Sequence, residues 1–230
     1  MTAQTKIKEQ QVKSKQRVSD VGEVFTAERE VKAMCDLVKD ETERIESRFL
    51  EPACGNGNFL AEVLNRKLAV VEKRYKKSPL EFEKYSLVAL SSLYGIDIME
   101  DNAQECRERL FEIWHQTYSR CLKDSTRKEC LEAARFLLKK NIINGDALTL
   151  ETSLGTPIIF SEWELIGDKF KRTDSPFQES VNQSDTHYNE QLSLFAFEDE
   201  SPETSSYYQT INKRVKEFPL TLYWRIQEYE

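Results

Sequence analysis

The chain has 230 residues, which corresponds to one ordinary domain with an extension, since domains average roughly 100–200 residues. Its 39% hydrophobic content is sufficient for a buried core and excludes wholesale disorder. The net charge of −7 is unevenly distributed, because eight acidic residues and no Lys or Arg lie between positions 173 and 208. Outside that stretch 33 basic residues face 32 acidic ones, so the charge does not argue against a nucleic-acid partner.

Several classes of protein are disfavoured by the composition. No run approaches the about 18 apolar residues of a membrane span, and the first residues do not resemble a signal peptide. Five cysteines without a C-x-x-C pair disfavour a disulfide scaffold, and we expect a cytoplasmic protein. Neither His115 nor His187 has a partner at metal-ligand spacing, so no metal site is expected.

The predicted elements begin with a basic segment at residues 1–17, which is either a solvated helix or an arm that touches phosphates. Helical periodicity then covers about 26–46. Further along the chain, helices and strands alternate. Helices are predicted from 59 to about 75, after Pro79, from about 101 to 122 and at about 125–139. Apolar runs predict strands at 48–52, 93–98, 141–144 and 157–163. This alternation favours an α/β fold with a parallel, Rossmann-like sheet.

The last third of the sequence has a different composition. Residues 166–206 are acidic and rich in Ser and Thr, and we expect a disordered loop or linker there. Within it, 192–197 carries leucines and phenylalanines, which indicates either a short docking motif or a loop that folds back on the core. Residues 207–230 are aromatic and β-prone, so they are expected to pack on another part of the protein.

The strongest functional signal is the glycine-rich segment that follows the first predicted strand. The sequence Glu51-Pro-Ala-Cys-Gly-Asn-Gly-Asn-Phe59 leads directly into a helix. Such a turn lets the backbone approach a ligand closely, and the helix N-terminus offers free N–H groups. G-x-G alone is weak support, because tight strand-to-helix turns also select glycine.

Two further strands also end in carboxylates. Asp97 ends the second strand, at the position that accepts ribose hydroxyls in dinucleotide-binding folds, and Asp146 ends the third. Each Asp alone is also consistent with a turn or a helix cap. Because the carboxyl ends of parallel strands lie at one edge of the sheet, the three ends together predict a small-molecule site.

These residues resemble the S-adenosylmethionine-dependent adenine-N6 DNA methyltransferases of bacterial restriction–modification systems. Residues 21–26 resemble that family's motif X, 51–59 its motif I, 94–98 motif II and 144–148 motif III. The four motifs occur in the expected order and define a methyltransferase-like domain at residues 18–165. The resemblance implies a class I methyltransferase fold, with S-adenosyl-L-methionine as cofactor and DNA as substrate.

The resemblance also assigns roles to individual residues. The methionine part of the cofactor would be surrounded by residues of motifs X and I: Phe25, Thr26, Glu51, Pro52, Ala53, Cys54, Gly55, Asn56 and Gly57. Asp97 would bind the ribose, and Ile98 would lie against the adenine ring. Asp146 would accept a hydrogen bond from the adenine amino group, with Ala147 beside the ring.

The catalytic part of such an enzyme is missing from the sequence. Adenine-N6 transfer in this family uses an Asn/Asp-Pro-Pro-Tyr/Phe motif that holds the flipped base, but each of the six prolines is isolated. Nor is there a Pro-Cys dipeptide, which cytosine-C5 enzymes use as nucleophile. No catalytic residue is therefore assigned.

The predicted sheet is incomplete in the same way. The family's order is 3-2-1-4-5-7-6, and only strands 1–3 are evident, so strand 1 would expose an edge that soluble proteins avoid. Either residues 157–163 and 218–229 cover that edge, or another chain completes the sheet.

Three functions are consistent with this pattern. The first is the cofactor-binding part of a DNA adenine methyltransferase, completed by a second chain that carries the catalytic motif and reaching DNA through that complex. The second is a non-catalytic, methyltransferase-like binding or regulatory subunit. The third is a Rossmann-like domain that uses another nucleotide, or a truncated gene product.

Overall fold

A computed structural model of the chain describes residues 12–21, 23–177 and 216–230. Most of the predicted basic arm, Gly22 of the motif X segment, the apolar residues at 192–197 and most of the acidic segment lie outside these ranges. In the part of the chain that is described, no helix is long and apolar enough to cross a membrane.

The centre of the fold is a small, mostly parallel sheet. Strands β1 (Phe49–Glu51), β2 (Leu93–Asp97) and β3 (Ile142–Asp146) run parallel, and the short β4 (Glu151–Thr152) pairs antiparallel with β3. The order β1-β2-β3-β4 places the ends of the first three strands at one edge. The alternation of strands and helices in the sequence therefore predicted this sheet correctly.

Helices connect the parallel strands. Helices α1 (Lys15–Val21), α2 (Glu28–Leu37) and α3 (Lys39–Thr42) precede β1, so the predicted helix at 26–46 is split in two. Helices α4 (Asn58–Tyr75) and α5 (Pro79–Ser91) join β1 to β2. Helices α6 (Glu100–Leu122) and α7 (Lys128–Asn141) join β2 to β3, as parallel strands require a long crossover connection.

The hairpin that follows the parallel sheet corrects two predictions. Residues 157–163, predicted as a strand that could cover the edge of the first strand, contribute to β5 (Ile159–Ile166). Strand β5 pairs antiparallel with β6 (Lys169–Pro176), not with β1. Residues 169–176 were expected to belong to the acidic loop, but they form this regular strand.

Strand β6 carries a buried arginine whose partners lie both within the strand and in the C-terminal segment. Phe170 and Arg172 are both buried. The Arg172 guanidinium donates to both carboxylate oxygens of Asp174, at 2.7 and 2.6 Å, and lies 3.9 Å from the centroid of the Phe218 ring. A buried charge is tolerated when it is paired in this way, so the polar composition of the strand is misleading.

The hairpin lies on a face of the parallel sheet and leaves the edge of β1 unpaired. The Tyr94 hydroxyl donates to the Ser161 carbonyl at 3.0 Å, and the Tyr94 ring packs edge-on against Phe160. Within the described ranges β1 pairs with β2 alone, and Leu50 on β1 is 38% exposed.

The chain's last described segment packs on the helices. It forms two short strands, β7 (Lys216–Glu217) and β8 (Thr221–Leu222), that pair with β6. The buried Glu83 carboxylate on α5 accepts from the Tyr223 hydroxyl at 2.9 Å and from the Tyr118 hydroxyl at 2.7 Å. Tyr223 and Ile226 of this segment therefore belong to the hydrophobic core.

Candidate functional site

The glycine-rich turn between β1 and α4 adopts a conformation that needs glycine at two positions. Gly55 and Gly57 have φ angles of 52° and 80°, in the left-handed region that other residues rarely adopt. A Cβ atom on Gly57 would also lie 2.6 Å from the Cys106 sulfur. The turn is held to the sheet by the Cys54 amide, which donates to the Ile96 carbonyl at 2.8 Å.

The residues just before α2 lie directly against this turn. The buried Phe25 ring would be 3.1 Å from a Cβ built on Gly55. The Asn58 amide, at the start of α4, donates to the Thr26 carbonyl at 2.9 Å. The structure thus brings together the segments predicted as motifs X and I, although they are about 30 residues apart in the sequence.

Asp97, at the end of β2, organises the turn through hydrogen bonds. One carboxylate oxygen accepts from the Gly55 amide at 2.8 Å, and the other from the Met99 amide at 2.9 Å and the Asn102 side chain at 3.2 Å. A carboxylate offers about four lone-pair positions, so one acceptor position remains, on the oxygen that faces Gly55. Asp97 is 8% exposed.

Glu51, the last residue of β1, carries a buried carboxylate oxygen without a hydrogen-bond partner. Burial, with a further contribution from the nearby charge of Asp97, raises the pKa of Glu51 from 4.5 to about 8. Buried polar atoms in proteins are normally paired, and shifted pKa values cluster at functional sites. Glu51 is therefore suited to receive a cationic group from a ligand.

The end of the third strand makes fewer contacts with the glycine turn than the end of the second strand does. The Asn144 amide donates to the carbonyls of Asp97 and Ile98, both at 3.0 Å, and so fixes the end of β2 beside β3. Ile98 is 57% exposed, which leaves an apolar surface at this edge. One oxygen of Asp146 accepts from the Leu148 amide at 2.8 Å, within its own turn.

The other predicted site residues differ in their surroundings. Pro52 and Ala53 are exposed, and Ala147 packs against a small apolar cluster under the hairpin. The Cys54 side chain is buried in the core, so only its backbone could contact a ligand. Asn56 lies 3.5 Å from both Glu105 and Arg109, at the limit of hydrogen bonding.

Sequence reasoning missed an ionic network at the rim of this site. Arg17 donates to Glu23 at 2.6 Å and to Asp101 at 2.6 Å, and Lys13 contacts Asp101 at 3.1 Å and Glu105 at 2.7 Å. The two cations hold the pKa of Asp101 well below its usual range. These two basic residues are thus paired with carboxylates, which argues against the interpretation that they touch phosphates.

No group of His, Cys, Asp and Glu residues suited to a metal ion occurs among the described residues. All five cysteines are free thiols. His115 stacks on the Phe111 ring, with 5.5 Å between centroids, and so has a packing role.

The fold and the glycine turn define an α/β domain with a candidate ligand site at the carboxyl end of a parallel sheet. Residues 10–202, most of the chain, match the family model described as MmeI, DNA-methyltransferase domain. The chain belongs to this family of restriction–modification DNA methyltransferases, which confirms the resemblance at the level of the family. No curated protein and no solved structure matches the chain significantly.

Proposed function

We propose that this chain binds S-adenosyl-L-methionine and provides it for methylation of the N6 atom of adenine in DNA. The observation that carries the proposal is the buried carboxylate oxygen of Glu51 that has no hydrogen-bond partner, beside a turn that requires glycine at positions 55 and 57. A methionine moiety brings an ammonium group, which a buried carboxylate binds favourably, and it needs the close backbone approach that glycine permits.

The other residues would hold the nucleoside part of the cofactor. Asp97 keeps one acceptor position, which suits one ribose hydroxyl. The exposed Ile98 side chain would cover the adenine ring, and the second oxygen of Asp146 would accept from the adenine amino group. When bound, the cofactor supplies an electrophilic methyl group.

The site for the target base lies outside these 230 residues in our proposal. The sequence has no Pro-Pro and no Pro-Cys dipeptide, so neither the adenine-binding motif nor the cytosine-C5 nucleophile is present. We propose that a second chain supplies it and brings the DNA to the cofactor. Among the described residues no strand pairs with the outer edge of β1, and this edge supports completion of the sheet by further polypeptide.

Calorimetric titration with S-adenosyl-L-methionine tests the cofactor site. We expect the wild-type chain to bind and Ile98→Arg to lose most of its affinity, because the substitution removes the surface for adenine. Ile98 is exposed, so this variant should still fold. Leu37→Arg, at an exposed position on α2, is the matched control and should bind normally. A folded wild-type chain that does not bind would refute the proposal.

The lack of a base-binding motif also supports a second candidate, a non-catalytic binding or regulatory subunit. Co-expression with a chain that carries Asn-Pro-Pro-Tyr separates the two functions. Restored DNA methylation that is lost on Ile98→Arg supports the donor role. Methylation that is unaffected by this variant supports the regulatory role.

A further inference from the structure

We propose that Asn102 is a positioning residue that couples the N-terminal segment, residues 12–21 and 23–25, to Asp97 and the glycine turn, and thereby sets the affinity of the cofactor site. The effect on cofactor affinity depends on the proposed function. The coupling itself is a property of the protein alone, so it can be tested without ligand.

Asn102 lies in the first turn of α6 and is 2% exposed. Its side-chain nitrogen donates to Glu23 at 2.7 Å and to Asp97 at 3.2 Å, and its oxygen accepts from the Lys13 ammonium at 2.8 Å. An asparagine amide has two N–H donors, and both are used here. Because the Lys13 cation requires an oxygen, the orientation of the amide is fixed.

This arrangement places a neutral donor between two carboxylates. Glu23 and Asp97 accept from the same nitrogen, so Asn102 offsets the repulsion that would otherwise separate them. Asp97 in turn accepts from the Gly55 amide. A change at Asn102 is therefore transmitted to the glycine turn through a single side chain.

The N-terminal segment adds the opposite charge to the network. Arg17 pairs with Glu23 on one side and with Asp101 on the other, while Lys13 bonds to Asn102 itself. The Lys13 ammonium is also 5.9 Å from the centroid of the Phe25 ring, which lies against Gly55. The segment thus reaches the turn by two routes, a polar one through Asn102 and an apolar one through Phe25.

The test compares Asn102→Leu with Asn141→Leu. Asn141 is buried as well, and its side-chain amide makes two hydrogen bonds, to the Ser91 carbonyl and from the Trp163 ring, against three for Asn102. It precedes β3, at the end of the strand opposite the site. Asn141→Leu thus replaces another buried, hydrogen-bonded asparagine by leucine without touching the network.

Two measurements are made on each variant, S-adenosyl-L-methionine affinity by calorimetry and hydrogen exchange of the Gly55 and Met99 amides. We expect Asn102→Leu to weaken binding by about tenfold, which corresponds to about 1.4 kcal/mol, and to increase exchange at both amides. Asn141→Leu should change neither. Adding Glu23→Gln to Asn102→Leu should restore much of the affinity, because it removes one of the two facing charges.

Equal affinity and exchange in the two Leu variants would overturn the proposal, as would a double variant no better than Asn102→Leu alone. If Asn102→Leu does not fold, Lys13→Met removes the charged partner from a partly exposed position, and it must then raise exchange at Gly55. If the wild-type chain does not bind the cofactor, the proposed function fails, and the exchange measurement still decides whether Asn102 positions the turn.

Discussion

Replacing Glu51 by Gln tests whether the site contains an ionisable group that is kept neutral by its surroundings. In the folded chain burial raises the pKa of Glu51 to about 8, whereas its ordinary value is 4.5. The folded state therefore holds the proton more tightly than the unfolded state. The contribution of Glu51 to stability is fully present below about pH 4.5 and is lost as the pH rises toward 8.

The size of the effect follows from the shift. Each pH unit inside this window costs about 1.36 kcal/mol of unfolding free energy. Between about pH 5 and pH 7.5 the wild-type chain should therefore lose about 3 kcal/mol through this group. Glutamine has the same shape but does not titrate, so the stability of Glu51→Gln relative to the wild type should increase by that amount over the same range.

Urea unfolding at several pH values measures this difference directly. Glu108→Gln, at an exposed position on α6, is the matched control and should follow the wild-type curve. A stability difference between Glu51→Gln and the wild type that does not change with pH would show that Glu51 is ionised normally, and the reasoning would fail.

The same variant links stability to the proposed ligand. A bound ammonium group favours the ionised carboxylate, so the affinity of the wild-type chain for S-adenosyl-L-methionine should rise with pH up to about 8. Glu51→Gln should bind more weakly and without this pH dependence. We thus expect the substitution to stabilise the fold at neutral pH and to impair binding.

Three other substitutions test individual contacts of the fold, each by urea unfolding. Gly57→Ala should destabilise the fold by more than the about 1–3 kcal/mol of backbone strain, because the new methyl group would also lie 2.6 Å from the Cys106 sulfur. Gly155→Ala is the control, since it introduces backbone strain without a steric clash. Tyr223→Phe should cost about 1.5–3 kcal/mol through its lost bond to a buried carboxylate, with the exposed Tyr229→Phe as control. Burial lowers the pKa of Lys67 to about 7, so wild-type stability should rise from about pH 7 to pH 10 through this group, and Lys67→Met should lack that rise.

The parts of the fold that depend on local signals could be predicted from the sequence. The glycine turn lies between an apolar run and an amphipathic helix, and these neighbours are enough to predict that a turn lies there. Strand β6 could not be predicted, because Lys, Arg, Thr, Asp and Ser dominate it. The contacts of Arg172 with Asp174 and Phe218 help to make that strand compatible with a core, and Phe218 is distant in the sequence.

The ionic network at the rim of the site could not be predicted either, because its partners are distant in the sequence. Arg17 and Asp101 are separated by 84 residues, and Lys13 and Asp101 by 88. A basic segment gives no sign of whether its charges meet carboxylates or remain free. The only available signal was the acidic start of α6, where Glu100 and Asp101 also suit the positive end of the helix dipole.

Asp97 shows how a ligand residue and a structural residue can be the same group. Its position at the end of β2 predicted a ribose ligand, yet in the structure it accepts three hydrogen bonds, one of them from the Gly55 amide. A carboxylate held by three donors has a fixed orientation, and its remaining acceptor position is then fixed as well. Because this acceptor position is fixed before a ligand binds, less conformational entropy is lost on binding. The hydrogen bonds that organise the glycine turn therefore support the proposed binding role, and Asn102, which supplies one of them, belongs to the same unit.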